Sequence, residues 1–230
     1  MFYLTGDTHG DLYRVVSFCT DNNLTKDDTV IILGDVGLNY YGNTRDLFQK
    51  ELISKTAPTI FCVHGNHEMN PEYMKNMKEK EWHKGVVFYE EKFPHILYAK
   101  DGEIYDFDGK TAVVLGGAYS VDKDYRVSHH WNWFSDEQMS DEVKARCISN
   151  LEKNNWQVNY VLSHTVPTNY MPTDMFLSCV DQSTVDKSME EWLQNIHNKL
   201  TYKHWYAGHY HCSRTVDNVS IMFEDWKNLD

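Results

Sequence analysis

Five times along this chain a short apolar run gives way at once to Asp, Asn or His, four times behind a glycine. The most informative case is Ile60-Phe61-Cys62-Val63, followed two residues later by Gly65-Asn66-His67-Glu68. Its companions are Gly6-Asp7-Thr8-His9-Gly10, Gly34-Asp35, a lone His164, and Gly208-His209-Tyr210-His211. Each run reads as a buried strand, so each polar group sits on a loop at a strand's carboxyl end. In open α/β sheets sites collect at that edge. A chain with this pattern must bring five such ends together.

The segments between the runs say how. Residues 2–5, 29–33 and 59–63 read as strands. Leu12, Val15, Val16 and Cys19 fall at helical spacing, and Leu47, Phe48, Leu52 and Ile53 share a helical face within 43–55. This βαβαβ opening implies parallel strands with right-handed crossovers. Asn70-Pro71 is expected to start a short Met-rich helix whose methionines fill core. Short strands at 86–89, 96–98, 104–107 and 112–115, with Asp101-Gly102 and Asp108-Gly109 between the last three, suggest an antiparallel meander. A long aromatic loop to about 135, a helix at 140–153 begun by Ser140, a strand at 158–162, a helix at 184–197 and a strand at 203–206 follow, then β-rich stretches at 212–217 and 219–223. With 230 residues there is enough chain for one sizeable core. The expected fold is α/β, a four-layer α-β-β-α sandwich of two mixed sheets, with the site at the strand carboxyl ends and residues 1–230 as one domain.

Composition narrows the partners. The net charge of −12 repels polyanions and argues against long nucleic acids, while a short nucleotide or oligonucleotide substrate stays open. No apolar run approaches the roughly 20 residues of a membrane helix. Met1 leads directly into the first strand with no leader pattern, so a cytoplasmic location is expected. The five cysteines are scattered and lack a CxxC pair, which argues against a disulfide framework or a structural zinc knot. Cys212, beside His211, is the one thiol placed to lie near a metal.

The polar loops have the donor chemistry of a metal centre. Residues two apart in extended chain point the same way, so Asp7 and His9 can share an ion, as can His209 and His211. Asp35 is placed to bridge two cations, Asn66 adds a neutral oxygen and His164 a nitrogen. Mixed imidazole and carboxylate donors suit Mn, Fe, Zn or Ni rather than calcium, and we expect Mn. Seven donors are too many for one ion and about right for two.

The ordered set D-x-H, G-D, G-N-H-E, a lone His and G-H-x-H resembles the calcineurin-like metallophosphoesterases, from residue 6 to residue 211. The resemblance implies a ββ sandwich flanked by helices and two divalent ions. One ion would take Asp7, His9 and His211, the other Asn66, His164 and His209, with Asp35 bridging. His67 would contact the phosphate or protonate the leaving oxygen, and a bridging hydroxide would attack phosphorus. The Gly6–Gly10 and Gly65–Glu68 motifs are similar to the protein Ser/Thr phosphatase branch, but that branch carries G-D-x-x-D-R-G. Here Leu38 and Asn39 stand where it has the Asp that orients the catalytic His and the phosphate-gripping Arg. Arg45 and Arg126 are the candidates to supply the missing cation.

The expected activity is hydrolysis of phosphate monoesters, on a phosphoprotein or a small metabolite. The alternative is a phosphodiesterase or small nuclease acting on cyclic nucleotides or short nucleic acids. The aromatic stretch His129-His130-Trp131-Asn132-Trp133-Phe134 could stack a nucleobase, but packing as a lid or as support behind the site is the favoured reading. A binding module without catalysis should lack ligands or the histidine after Asn66, and this chain lacks neither.

Overall fold

The computed structural model describes residues 1–229. The first sheet is built from β1 (Phe2–Thr5), β2 (Thr29–Ile32), β3 (Thr59–Cys62), β4 (Lys78–Trp82), β5 (Gly85–Tyr89) and β6 (Ile96–Ala99). The second takes β7 (Ile104–Phe107), β8 (Lys110–Leu115), β9 (Tyr160–Ser163), β10 (His204–Ala207), β11 (Arg214–Val216) and β12 (Val219–Ile221). A last short strand, β13 (Lys227–Asn228), returns to the first sheet beside β1. The strand orders are β13-β1-β2-β3-β6-β5-β4 and β11-β12-β10-β9-β8-β7. Both sheets are mixed: β1, β2, β3 and β6 run parallel, as do β8, β9, β10 and β12.

Helices α1 (Leu12–Asp21) and α2 (Thr44–Ile53) are the crossovers of the parallel opening. Farther along lie α3 (Lys123–Ser128), α4 (Asp141–Lys153) and α5 (Ser188–Lys199). Side-chain alternation explains the layers. Val30 and Ile32 on β2 pack with Leu12, Val15 and Cys19 of α1, while Ile31 and Leu33 face inward to Val114 and Leu162 of the other sheet. The outer face of that sheet, through Val113, Leu115, Val161 and Trp205, meets Val143, Cys147 and Leu151 of α4 and Leu193 and Ile196 of α5. Central strands are therefore buried on both faces, which is why they read as continuous apolar runs. Cys212 also lies in this outer cluster. Among the described residues no helix is long and apolar enough to cross a membrane.

Four expectations need correction. The stretch 86–115 is not one meander. β5 and β6 pair antiparallel in the first sheet, but β7 opens the second, so Asp101-Gly102 is a crossing between sheets. The Tyr105 hydroxyl pins that crossing, accepting from Lys100 N at 3.0 Å and donating to Val86 O at 2.7 Å. Only Asp108-Gly109, with φ of 54° and 88°, makes a hairpin, joining β7 to β8. The expected apolar face of α2 is also turned: Phe48 is 62% exposed, while Asp46 and Lys50 are buried. Asp46 accepts from the amides of Tyr41 and Gly42, and Lys50 pairs with Glu90, so polar bonds to neighbouring loops set the helix's rotation.

The expected Met-rich helix is a single 3-10 turn at Pro71–Tyr73, followed by β4. With the sequence Lys-Glu-Lys-Glu-Trp, β4 is a charged edge strand that shows no apolar alternation, so its pattern is unreadable without its partner. Helix α3 forms inside what reads as a loop, since none of its residues is buried to give a period.

Candidate metal centre

The ends of β1, β2 and β3 meet those of β9 and β10 at one edge of the sandwich. His164 joins the sheets: its Nδ1 lies 2.8 Å from Leu33 O, and Gly208 N donates to His164 O. Since a carbonyl only accepts, Nδ1 carries the proton there. His209 N donates to Asp7 Oδ1 at 2.8 Å, tying the last motif to the first. Asp35 Oδ1 accepts from His67 N at 2.8 Å, tying the second to the third.

Close approach sets the glycines. Gly34 has φ +96°, and a Cβ there would lie 2.1 Å from His164 Nδ1. Gly34→Ala would combine left-handed strain with a clash against a fully buried ring, so we expect a loss of about 2–5 kcal/mol of stability. Urea unfolding measures it. A loss below about 1 kcal/mol would contradict this packing.

Side-chain donors converge inside this frame. Asp7 Oδ2 is buried with no hydrogen-bond donor, with His211 Nε2 3.3 Å and His9 Nε2 3.7 Å away. His9 and His211 face each other with their Nε2 atoms 2.8 Å apart. Asp35 Oδ1 lies 3.6 Å from His164 Nε2, and its Oδ2 3.8 Å from His9 Nε2 and 4.0 Å from His67 Nε2. Asn66 Oδ1 is 2.8 Å from His164 Nε2, and the His209 ring centroid is 5.1 Å from that of His164. Asp7 with His9 and His211, and Asp7 with Asp35 and His164, each offer donor atoms within 4.8 Å of one another.

The cluster is electrostatically costly on its own. His9, Asp35, His209 and His211 have φ between 46° and 69°, a region that side chains other than glycine rarely occupy and that marks stored strain. Burial opposes charge on the Asp35 carboxyl, yet His164, His67 and His9 hold it well below the usual carboxylate range. Burial likewise opposes charge on His164, but Asp35 and Asp7 lift it to about 9. Burial and the neighbouring His164 push His209 down to about 3. A buried carboxylate oxygen without a donor, facing imidazole nitrogens, is the donor set that divalent cations satisfy.

The surroundings sort the remaining candidates. Arg126, on α3, places Nη2 3.5 Å from His67 Nε2, donates through Nη1 to the Tyr40 hydroxyl at 3.0 Å, and donates through Nε to Asp122 at 2.7 Å. Arg45 is exposed, its guanidinium 4.8 Å from the Tyr41 ring centroid. The cation beside His67 is thus Arg126. Leu38 and Asn39 are fully buried in the loop after Asp35. Burial and Arg126 lower the pKa of His67, against the pull of Asp35.

Glu68 does not face the cluster. Its Oε1 accepts from Gly65 N at 3.1 Å, and burial and Asp35 push its carboxyl up to about 7. His64 turns the other way, with Nδ1 3.7 Å from Asp101 Oδ2. Sequence reasoning missed Ser120 and Glu137. Ser120 accepts from Asn66 Nδ2 at 2.9 Å and bonds Glu137 in turn, and no spacing signal marks either residue.

The sequence matches the family model described as calcineurin-like phosphoesterase over residues 1–213. No curated protein matches it. Among solved structures, TT1561 of Thermus thermophilus has a TM-score of 0.51 at 13% identity, covering 96% of this chain and 87% of that one. The phosphopantetheinyl hydrolase PptH from Mycobacterium tuberculosis has a TM-score of 0.42 at 14% identity, also over 96% and 87%. The first of these shares the fold.

Proposed function

The chain belongs to the calcineurin-like phosphoesterases and is a metal-dependent phosphoester hydrolase, and from that premise we propose that it acts on phosphate monoesters. The family implies a dinuclear site for divalent ions. In this reading Asp7, His9 and His211 hold one ion, Asn66, His164 and His209 the other, and Asp35 faces both. The buried, donorless Asp7 Oδ2 is the observation that favours cations here. Divalent ions at such a site supply Lewis acidity and a lowered pKa for coordinated water. Mn is our expected ion, on the mixed nitrogen and oxygen donors. We also take residues 1–230 as one domain, and the five free cysteines as suited to a reducing cytoplasm.

The observation that carries the monoester reading is the Arg126–His67 pair. A guanidinium binds terminal phosphate oxygens through two parallel N–H bonds, and a monoester offers more of that charge than a diester. Asp122 and Tyr40 hold the guanidinium in place, which gives back the cation missing from the Gly34-Asp35 loop. His67, whose backbone N–H is fixed by Asp35, presents its Nε2 beside Arg126, where it can contact a phosphate oxygen or pass a proton to the leaving oxygen.

One observation favours the diester alternative. Tyr125, His129 and Trp131 form an exposed ring cluster on and just after the helix that carries Arg126, with centroids of 4.0 Å and 5.6 Å from Tyr125. A nucleobase could stack there.

The test is turnover of a chromogenic monoester against the matching diester by the Mn-loaded protein. We expect the monoester to be preferred and a chelator to abolish turnover. Arg126→Ala should raise KM for the monoester by about 10-fold or more, the loss of a charge-assisted pair. Preference for the diester, with Arg126→Ala without effect, would replace this reading by the alternative.

A further inference from the structure

An asparagine side chain has two unlike ends, and only its oxygen can ligate a cation. We infer that Ser120 and Glu137 are positioning residues that fix which end of the Asn66 amide faces the metal centre. The inference rests on the two-ion reading above.

The direction follows from counting donors. Asn66 is buried, and its Nδ2 donates to Ser120 Oγ at 2.9 Å. The Ser120 hydroxyl has one proton and lies 2.5 Å from Glu137 Oε2. Burial raises the Glu137 carboxyl, but Ser120 N donates to its Oε1 and Trp133 Nε1 to its Oε2, so both oxygens act as acceptors and the hydroxyl proton belongs to the Ser120–Glu137 bond. Ser120 then shows Asn66 only a lone pair, which the NH2 end can meet and the oxygen cannot. The amide oxygen is left pointing the other way, 2.8 Å from His164 Nε2, with the opposite ring nitrogen already committed to Leu33 O.

Glu137 is anchored for this task. It is buried, and besides the Ser120 hydroxyl it receives Ser120 N on Oε1 at 3.2 Å and Trp133 Nε1 on Oε2 at 2.8 Å. Its own carbonyl accepts from Ala118 N, which ties it to the loop that carries Ser120. Lys123 sits 4.2 Å above the Trp133 ring. The chain of polarity therefore runs from Asn66 through Ser120 to Glu137, and one tryptophan of the aromatic stretch serves as its last donor. Turned over, the amide would aim two N–H groups at the cations and leave its oxygen against the Ser120 lone pair.

The expected effect is confined to one ion, because Asp7, His9 and His211 make no bond to this relay. Mn(II) titration calorimetry on the whole 230-residue chain tests it. Wild type should bind two ions. Ser120→Ala should weaken one of them about 10- to 100-fold, the usual loss when an outer partner of a ligand is removed, and leave the other unchanged. Glu137→Gln should act in the same direction, and thermal melting of both variants checks that they fold. The deciding arm is Ser120→Ala in an Asn66→Asp background. A carboxylate has two equivalent oxygens and needs no orientation, so there the loss should vanish. An equal loss in both backgrounds, or weakening of both ions, would assign Ser120 a packing role only and overturn the inference. Two ions bound with no change in either variant would also overturn it. Fewer than two ions bound by wild type would overturn the two-ion reading itself, and the relay with it.

Discussion

Asp35→Ala will lower kcat/KM for a phosphate monoester by about 10^3-fold or more, the scale of the several kcal/mol that metal-assisted charge stabilisation supplies. Asp35 is almost fully buried, and its two oxygens face His164, His9 and His67 at 3.6–4.0 Å. Asp7 also lies in both clusters of donor atoms, but Asp35 is the carboxylate that faces His164, His9 and His67 together. Removing it leaves three imidazoles without their common counter-charge, and also frees the His67 amide that donates to Asp35 Oδ1. Metal content should fall together with rate. The check is steady-state turnover with bound metal measured by elemental analysis on the same sample. Activity kept within about tenfold, with two ions still bound, would remove Asp35 from the centre of the mechanism.

His67→Ala should behave differently. It should lower kcat by about 10^2- to 10^4-fold, the range of general acid catalysis, while metal content stays at the wild-type level. The ring of His67 is only partly exposed, with Asp35 on one side and Arg126 on the other, and it lies outside both groups of candidate ligand atoms. If it protonates the leaving oxygen, the loss will be larger for an alkyl phosphate than for a nitrophenyl phosphate, whose leaving group needs no proton. If it only contacts phosphate, the loss will be the same for both and will show in KM as well as kcat. Loss of metal from this variant would contradict its separation from the ligands.

These two expectations rest on residues that were visible before any fold was known. Strand, glycine and polar donor lie within a few positions of each other, so local rules place them: an apolar run must be buried, and its end must turn. The parallel opening was legible for the same reason, since Leu12, Val15 and Cys19 announce one crossover helix and Thr29 to Leu33 the next strand. Where burial is decided by distant polar partners, local rules failed. The rotation of α2 follows Asp46 and Lys50, whose bonds reach a loop and Glu90, rather than its apolar positions. The charged β4 exists only because β5 lies beside it.

By itself the sequence determined the family, the two-sheet architecture and the set of polar loops at one edge, all of which are written in short-range order. The tertiary structure alone decided which arginine reaches His67, across 59 residues, and what stands behind Asn66, across 54. It also decided that Asp101-Gly102 changes sheets while Asp108-Gly109 closes a hairpin. The physical reason is common to all three. A hydrogen-bond donor or a turn can be satisfied by many partners, and only the packed chain selects one.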